Sequence, residues 1–133
     1  VVQQIAGSRT GPYSPGPIPF CIYGHLEAMR VGPTAKELTE KGEAFQVSQA
    51  PLAANAIAQA HGNTTGLVKV LWQDDKVISV SAVGCGVSSM ASLAQVLVSQ
   101  AYTREKCQEI IFAHPSLDES LAHALSASVA SPK

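Results

Sequence analysis

Hydrophobic and polar positions form their clearest strand pattern near the middle of the chain. Residues 66–72 are an apolar run typical of a buried strand. Residues 77–84 alternate, and the apolar side chains of one face are Ile78, Val80 and Ala82. The sequence Asp-Asp-Lys at residues 74–76 lies between the two runs and favours a tight turn. The pattern therefore predicts an antiparallel hairpin.

Apolar residues then recur at helical spacing. They lie at Met90, Leu93, Ala94, Leu97, Val98 and Ala101. This spacing predicts a helix over residues 90–101, the clearest in the chain. The helix is uncharged and carries small residues on a second face, at Ala91, Ser92 and Ser99. It is our candidate for the centre of a contact between subunits, and burial inside the domain's own core is the alternative.

Weaker patterns predict two further strands. A short strand is expected over residues 18–24. Another is expected over residues 43–49, with Phe45 and Val47 on one face. The alanine-rich residues 52–60 fit either a strand or a helix.

Three shorter helices are predicted from their first residues. Thr34 and Glu37 match a capping box that begins a helix over residues 34–41. Thr103 is predicted to cap a further short helix that runs to Ile110, and Ser116 to begin the last one. The inner stripe of that last helix consists of Leu117, Leu121, Ala124 and Leu125. Antiparallel strands with helices grouped against them make an α+β domain.

Composition narrows the range of partners. The formal net charge is -1, and charged residues make up 14% of the chain, against about 25% in typical domains. No basic patch or charged tail is visible, so we expect neither nucleic acid nor a membrane as a partner. Residues 77–103 carry no charge, but polar residues interrupt them too often for a membrane span. A surface so poor in charge suggests that more protein covers part of it.

Cysteine and histidine spacing gives no metal or disulfide pattern. The three cysteines are Cys21, Cys85 and Cys107. We interpret them as buried free thiols in a reducing cytosol, which predicts a cytoplasmic location. Three histidines also lack the spacing of metal ligands: His25, His61 and His123. We therefore expect no metal site.

A glycine-containing loop invites comparison with dinucleotide-binding loops. Residues 84–89, Gly-Cys-Gly-Val-Ser-Ser, follow a strand and open a helix. The third glycine of that motif is replaced by Ser89, and no acidic residue follows at the required interval. We interpret the two glycines as a strand-to-helix turn and expect no cofactor-binding residue in this chain.

The most informative chemistry lies near the C-terminus, where His114 precedes a proline and Glu119 follows five residues later. A histidine held by a carboxylate is a natural acid–base pair, because histidine titrates near neutral pH. Ser116 and Glu119 also fit a capping box, in which the carboxylate would bond the Ser116 amide instead. The pattern alone favours the cap, although the two carboxylate oxygens can also share both roles.

These residues resemble a known family. Residues 113–121 are similar to the His-Pro-Thr-x-x-Glu segment of dihydrolipoamide dehydrogenases, which are flavin-dependent pyridine nucleotide-disulfide oxidoreductases. Residues 18–25 resemble the family's Ile-Pro-x-x-x-Tyr-Thr-His stretch, residues 53–55 its Ala-x-Asn, and residues 66–69 its Gly-Phe-Val-Lys. The order and spacing agree over nearly the whole chain. The match is to the C-terminal interface, or dimerisation, domain.

The resemblance implies a fold, a site and partners. It implies an antiparallel sheet with packed helices over residues 18–133, preceded by a linker and a remnant of the flavin domain over residues 1–17. His114 would be the general acid–base and Glu119 its partner, facing the flavin and redox disulfide of the other subunit in a homodimer. The parent enzyme would bind FAD and NAD in its other domains and oxidise dihydrolipoamide, with a lipoyl-bearing protein as a substrate. This chain has no Cys-x4-Cys pair, so we expect it to be inactive alone.

Three positions depart from the family pattern. Leu26, Ile57 and Ser89 stand where the family usually has Pro, Arg and Glu. Two alternatives therefore remain: a self-association module without enzymatic activity, and a domain of a sibling reductase that acts on glutathione-type disulfides. The chain begins without Met or a signal-peptide layout, so we expect a processed chain or, in preference, a fragment excised from a longer protein.

Overall fold

The computed structural model describes residues 2–8, 11–12 and 14–131. Its strands are β1 (Phe20–Ile22), β2 (Glu27–Val31), β3 (Gln46–Pro51), β4 (Gly66–Gln73) and β5 (Lys76–Gly84). They form one antiparallel sheet in the order β1-β2-β5-β4-β3. Its helices are α1 (Val2–Ile5), α2 (Ala35–Glu40), α3 (Ala56–Ala60), α4 (Ala91–Ser99), α5 (Arg104–Gln108) and α6 (Glu119–Ser126). The predicted α+β class is confirmed.

The two faces of the sheet bury cores of different size. One face packs on α4 and α6, and its fully buried side chains include Val31, Val68, Val70, Val80, Leu97 and Leu121. On the other face a small cluster consists of Leu38 from α2, Phe45 and Leu71. Helices on one side therefore carry most of the hydrophobic stabilisation.

The predicted hairpin is present, and the conformation of its turn explains the two aspartates. Asp74 and Asp75 both have positive φ, at 50° and 61°. Two consecutive left-handed residues match the twist of the flanking strands, and aspartate tolerates that conformation better than most residues.

One face assignment in this hairpin was wrong. The ladder pairs Leu71 with Ser79 but Trp72 with Val77, so the register shifts and Ile78 has no partner. Because the bulge inserts one extra residue, the alternation of side chains between the two faces is offset by one position across it. Val80 accordingly lies in the main core, whereas Ile78 packs with the smaller cluster.

The expected alternation in β3 is observed, but Ser48 on its polar face is buried, whereas Gln46 is exposed. Ser48 is 1% exposed and lies on the main-core side. Trp72 Nε1 donates to Ser48 Oγ at 2.7 Å, and Ser48 Oγ donates to the Ala124 carbonyl at 2.7 Å. That carbonyl belongs to the last turn of α6, where helix carbonyls lack intrahelical partners. Ser48 thus joins the sheet to the helix that follows the predicted site.

Several helix boundaries differ from the prediction. The helix predicted over residues 90–101 is a 3-10 turn (Val87–Met90) followed by α4, and it ends before Ala101, whose φ is 48°. Ala91 is 9% exposed and so belongs to the buried side rather than to a small-residue outer face. The outer face of α4 carries Ser92 and the 43% exposed Val96.

The ambiguous segment 52–60 is helical. A 3-10 turn (Leu52–Ala54) leads into α3, whose N-cap is Asn55. The capping box at Thr34 and Glu37 is confirmed, since both of its reciprocal hydrogen bonds are present. The helix over residues 103–110 is shorter than predicted, and Thr103 does cap it by accepting from the Lys106 amide.

The N-terminal region is only partly described. Residues 9, 10 and 13 of the predicted linker lie outside the described residues, as do 1, 132 and 133. The strand predicted over residues 18–24 is the shorter β1, and its Phe20 and Ile22 are more than half exposed. The proposed boundary between residues 17 and 18 stays a prediction. Among the described residues, no helix is long and apolar enough to cross a membrane.

We expect Ser48→Ala to lower the free energy of unfolding by about 1–3 kcal/mol, because it leaves the Trp72 N–H and the Ala124 carbonyl unpaired in the core. Urea denaturation measures this. The matched control is Ser126→Ala, which changes an exposed serine at the end of α6. Equal effects of the two substitutions would contradict the role assigned to Ser48.

Candidate acid–base site

His114 lies on the loop between α5 and α6. No helix or strand includes residues 109–118, and the His114–Pro115 peptide bond is cis. The imidazole side chain is 73% exposed. The loop therefore presents the ring to solvent directly before the last helix.

Glu119 uses both carboxylate oxygens within this loop. Its Oε1 lies 2.8 Å from His114 Nδ1, and its Oε2 accepts from the Ser116 amide at 2.8 Å. The two roles that the sequence left open are thus filled together by one side chain. Only half of a capping box forms, since Ser116 Oγ has no partner among the described residues. The helix begins at Glu119 rather than at the predicted Ser116.

Hydrogen bonding keeps this carboxylate ionised. The Ser116 N–H, then the hydrogen bond to His114, lower the pKa of Glu119 below its usual value of 4.5, and the nearby His123 adds a smaller effect. The adjacent Asp118 behaves oppositely, because burial raises the pKa of its carboxyl group. Burial thus disfavours the charged form of Asp118, whereas hydrogen bonds favour the charged form of Glu119 beside the imidazole.

The arrangement suits proton transfer at one nitrogen. With Nδ1 directed at the Glu119 carboxylate, a neutral imidazole donates from Nδ1 and keeps its lone pair on Nε2. None of the described residues hydrogen-bonds Nε2. The pair can therefore accept a proton from an incoming group, and the carboxylate stabilises the imidazolium that results.

A buried asparagine near this loop was missed as a site residue. Asn55 is 1% exposed, and its Nδ2 donates to the Ser116 carbonyl at 2.9 Å. Two signals pointed to it: an asparagine inside the alanine-rich segment 52–60, a residue type typical of an N-cap, and the resemblance to the family's Ala-x-Asn.

The remaining histidines and cysteines stay apart from the pair. His61 lines a cavity of about 300 Å³ together with Cys85, and His25 lines a smaller cavity on which Cys85 also borders. Asn63 Nδ2 approaches Cys85 Sγ at 3.4 Å. The described residues contain no group of three or more side chains able to hold a metal ion. All three cysteines are free thiols, but the expectation that all are buried was wrong, since Cys21 and Cys85 are only half-buried. Burial raises the pKa of the Cys107 thiol to about 11.

Two departures from the family pattern are neighbours in the fold. Ile57 and Ser89 line the same 300 Å³ cavity. By the resemblance, these are the positions of an arginine and a glutamate in the family pattern, and here an aliphatic and a neutral polar side chain stand together instead. The change removes two opposite charges at one place, so the local net charge is unaltered.

The glycine-containing loop does not fit a dinucleotide phosphate. The Ser88 amide, which such a loop would direct at phosphate, instead binds Glu27 Oε2 at 2.9 Å. Gly84 has φ 146°, and a Cβ there would meet the Leu52 side chain at 2.2 Å, so packing explains this glycine. A carboxylate at the turn repels an anionic cofactor.

Comparisons with known proteins agree with this architecture. The family described as "Pyridine nucleotide-disulphide oxidoreductase, dimerisation domain" matches residues 18–125. Mitochondrial dihydrolipoyl dehydrogenase of Canis lupus familiaris is 32% identical over 125 residues, covering 92% of this chain and 24% of the relative. The Homo sapiens protein of the same name is 33% identical over 109 residues, covering 80% and 21%. This chain thus spans about a quarter of these relatives' length.

Solved structures show the same fold. The HOCl-induced flavoprotein disulfide reductase RclA from Escherichia coli superposes with a TM-score of 0.82 at 23% identity, over 93% of this chain and 29% of that one. LpdA from Mycobacterium tuberculosis gives 0.81 at 21% identity, over 92% and 27%. The fold is that of an oxidoreductase interface domain. In particular, this chain belongs to the dimerisation-domain family of the pyridine nucleotide-disulphide oxidoreductases.

The lowered pKa of Glu119 predicts an acid-dependent stability. Because the carboxylate is more acidic in the folded state, its contribution is present above the usual pKa of 4.5 and is lost as pH falls through the lowered folded value. We expect Glu119→Gln to lower the Tm at pH 7, and the difference from the wild type to shrink at acid pH.

Thermal unfolding followed by circular dichroism between pH 7 and pH 3 measures this difference. The exposed Glu109, changed to Gln, is the control and should follow the wild type at every pH. A difference between wild type and Glu119→Gln that stays constant across this range would contradict the assignment.

Proposed function

We propose that this chain is the C-terminal interface domain of a flavin disulfide oxidoreductase of the dihydrolipoamide dehydrogenase type. It supplies the His114–Glu119 pair to the active site of the partner subunit. The observation that carries the proposal is the geometry at Glu119, whose oxygens hold Nδ1 of His114 and the Ser116 amide at 2.8 Å each. That geometry leaves Nε2 of an exposed imidazole free to meet a substrate thiol.

The proton transfer follows from thiol chemistry. A thiolate, not a thiol, attacks a disulfide, so a base must first remove the proton. His114 Nε2 takes the proton from one thiol of a dihydrolipoamide substrate. The resulting thiolate attacks one sulfur of the enzyme's disulfide, and the other sulfur leaves as a thiolate. The Glu119 carboxylate stabilises the imidazolium until the proton passes to solvent or to the reduced enzyme.

The cofactors belong to other parts of the proposed parent enzyme. FAD and NAD would carry the electrons from the reduced disulfide, supplying redox chemistry that no side chain of this chain provides. Since the Gly84–Gly86 loop does not fit a dinucleotide, this chain's part is confined to the proton and to the subunit contact. We therefore expect the chain to be inactive without its flavin and NAD domains.

Lipoamide is favoured over glutathione-type disulfides as the substrate class. The Canis lupus familiaris and Homo sapiens relatives are both named dihydrolipoyl dehydrogenases. A lipoyl group carried on a protein is the corresponding substrate for this chain's parent. The free thiols predict a cytoplasmic location for this chain, whereas those two relatives are named mitochondrial.

A homodimer with α4 near its centre is part of the same proposal. The outer face of α4 presents Ser92 and the exposed Val96, with no charged side chain along the helix. Uncharged, partly apolar surface is typical of the centre of an interface between subunits.

We expect His114→Ala in the full-length flavoprotein to lower the rate of dihydrolipoamide oxidation by ~10²–10⁴-fold, as removal of a general acid–base does. Oxidation of NADH by an artificial acceptor at the flavin needs no thiol proton and should be unchanged, which serves as the internal control. Full dithiol activity in this variant would favour the self-association module. Greater turnover of glutathione-type disulfides than of lipoamide by the wild type would favour the sibling reductase.

The dimer proposal predicts that Ser92→Arg weakens self-association, because it places an unpaired charge in a desolvated contact. Analytical ultracentrifugation of the full-length flavoprotein measures the shift toward monomer. Thr39→Arg is the matched control, since Thr39 is exposed on α2, on the opposite face of the sheet. An unchanged dissociation constant for Ser92→Arg would remove α4 from the interface.

A further inference from the structure

Asn55 is bonded at both ends of its side-chain amide. Its Oδ1 accepts from the amides of Ile57 at 2.9 Å and Ala58 at 3.0 Å, which caps α3. Its Nδ2 donates to the carbonyl of Ser116 at 2.9 Å, across 61 residues of sequence. A primary amide carries an acceptor and donors on one short side chain, so it can cap a helix and hold a second segment together.

This bond is the long-range anchor of the loop that carries His114. In the part of the chain that the structure describes, the other hydrogen bonds of residues 111–118 run within the loop or to the first turns of α6. Ile111 near the start of the loop is 96% exposed, whereas its neighbours Ile110 and Phe112 are partly buried against the main core. Leu117 is partly buried against the main core, beside Gly86. The carbonyl of Ser116 is therefore where a hydrogen bond ties the loop to a distant element.

We propose that Asn55 is a positioning residue for the His114–Glu119 pair, acting through Ser116. Asn55 fixes the carbonyl of Ser116, and Glu119 Oε2 binds its amide. With Ser116 held on both sides, the Glu119 carboxylate has one orientation, and its other oxygen sets the imidazole of His114. The proposal rests on the proposed function for its catalytic consequence, but its geometric part concerns this chain alone.

The two roles of Asn55 can be separated by substitution. Asn55→Ser keeps a hydroxyl oxygen able to cap α3, since serine is as good an N-cap as asparagine, but it lacks the amide donor. Asn55→Thr does the same and is the second variant should the serine variant fail to fold. The matched control is Thr103→Ala, which removes the cap of α5 and leaves Ser116 untouched.

The chemical shift of the Ser116 amide reports the titration of Glu119, which a merely structural role of Asn55 would leave unchanged. Because the Ser116 N–H is the largest cause of the lowered pKa of Glu119, its chemical shift follows the titration of that carboxyl group. In two-dimensional NMR spectra of this chain between pH 2.5 and 6, we expect the midpoint to lie below 4.5 in the wild type and in Thr103→Ala. In Asn55→Ser it should move up toward 4.5. A midpoint unchanged in Asn55→Ser or Asn55→Thr would overturn the proposal.

Kinetics of the full-length flavoprotein separate this proposal from the proposed function. We expect Asn55→Ser to lower kcat for dithiol oxidation by about 10- to 100-fold, as misplacement of a catalytic group does, while NADH oxidation by an artificial acceptor is unaffected. A shifted NMR midpoint with full dithiol activity in both Asn55→Ser and His114→Ala would support the positioning geometry and reject the acid–base function. Full activity in Asn55→Ser alone, with His114→Ala inactive, would overturn the catalytic consequence of Asn55.

Discussion

The site depends on the carboxylate of Glu119, whose two oxygens bind two different groups at once. Glu119 must stay ionised to hold His114 in a defined orientation, and the Ser116 N–H keeps it ionised by binding its second oxygen. A carboxylate without that second partner would be free to rotate, and the imidazole with it. The proton chemistry proposed for His114 therefore depends on a main-chain amide two residues away.

The fold supports this local arrangement from a distance. The loop packs partly on the main core through Phe112 and Leu117, and hydrogen bonds from other elements hold it further. Asn55 holds it from the N-terminus of α3, and α6 is fixed in turn by Ser48, which bonds the Ala124 carbonyl from the sheet. An exposed catalytic side chain on a rigidly supported loop is a common solution, because it combines access for the substrate with fixed geometry.

Much of the fold could be read from the sequence because local signals were strong. The Asp74–Asp75 turn, the capping box at Thr34 and the apolar stripe of α4 each have a mechanism that acts within a few residues. The failures lie where tertiary structure decides. The bulge that moves Ile78 to the other face has no signature in an alternating pattern. The burial of Ser48 likewise requires Trp72, which lies 24 positions away.

The candidate site was likewise only partly predictable from local sequence. Histidine, proline and glutamate at short spacing identified His114 and Glu119, and the alternatives of acid–base partner and helix cap were both visible. That the carboxylate fills both roles at once required atomic geometry. The role of Asn55 was missed because its Nδ2 donates to a main-chain carbonyl. Every residue has such a carbonyl, so the sequence does not show which one is the acceptor.

The most direct test of the account asks whether His114 serves the partner subunit. Mixed dimers are prepared in which one full-length subunit carries His114→Ala and the other lacks the redox cysteines expected elsewhere in the parent chain. A homodimer of either variant is expected to be inactive, because both of its sites lack either His114 or the redox cysteines. If the pair acts across the interface, one of the two sites in each mixed dimer is intact, and dihydrolipoamide oxidation returns to about half the wild-type rate. Mixed dimers that form but remain inactive would contradict the central claim.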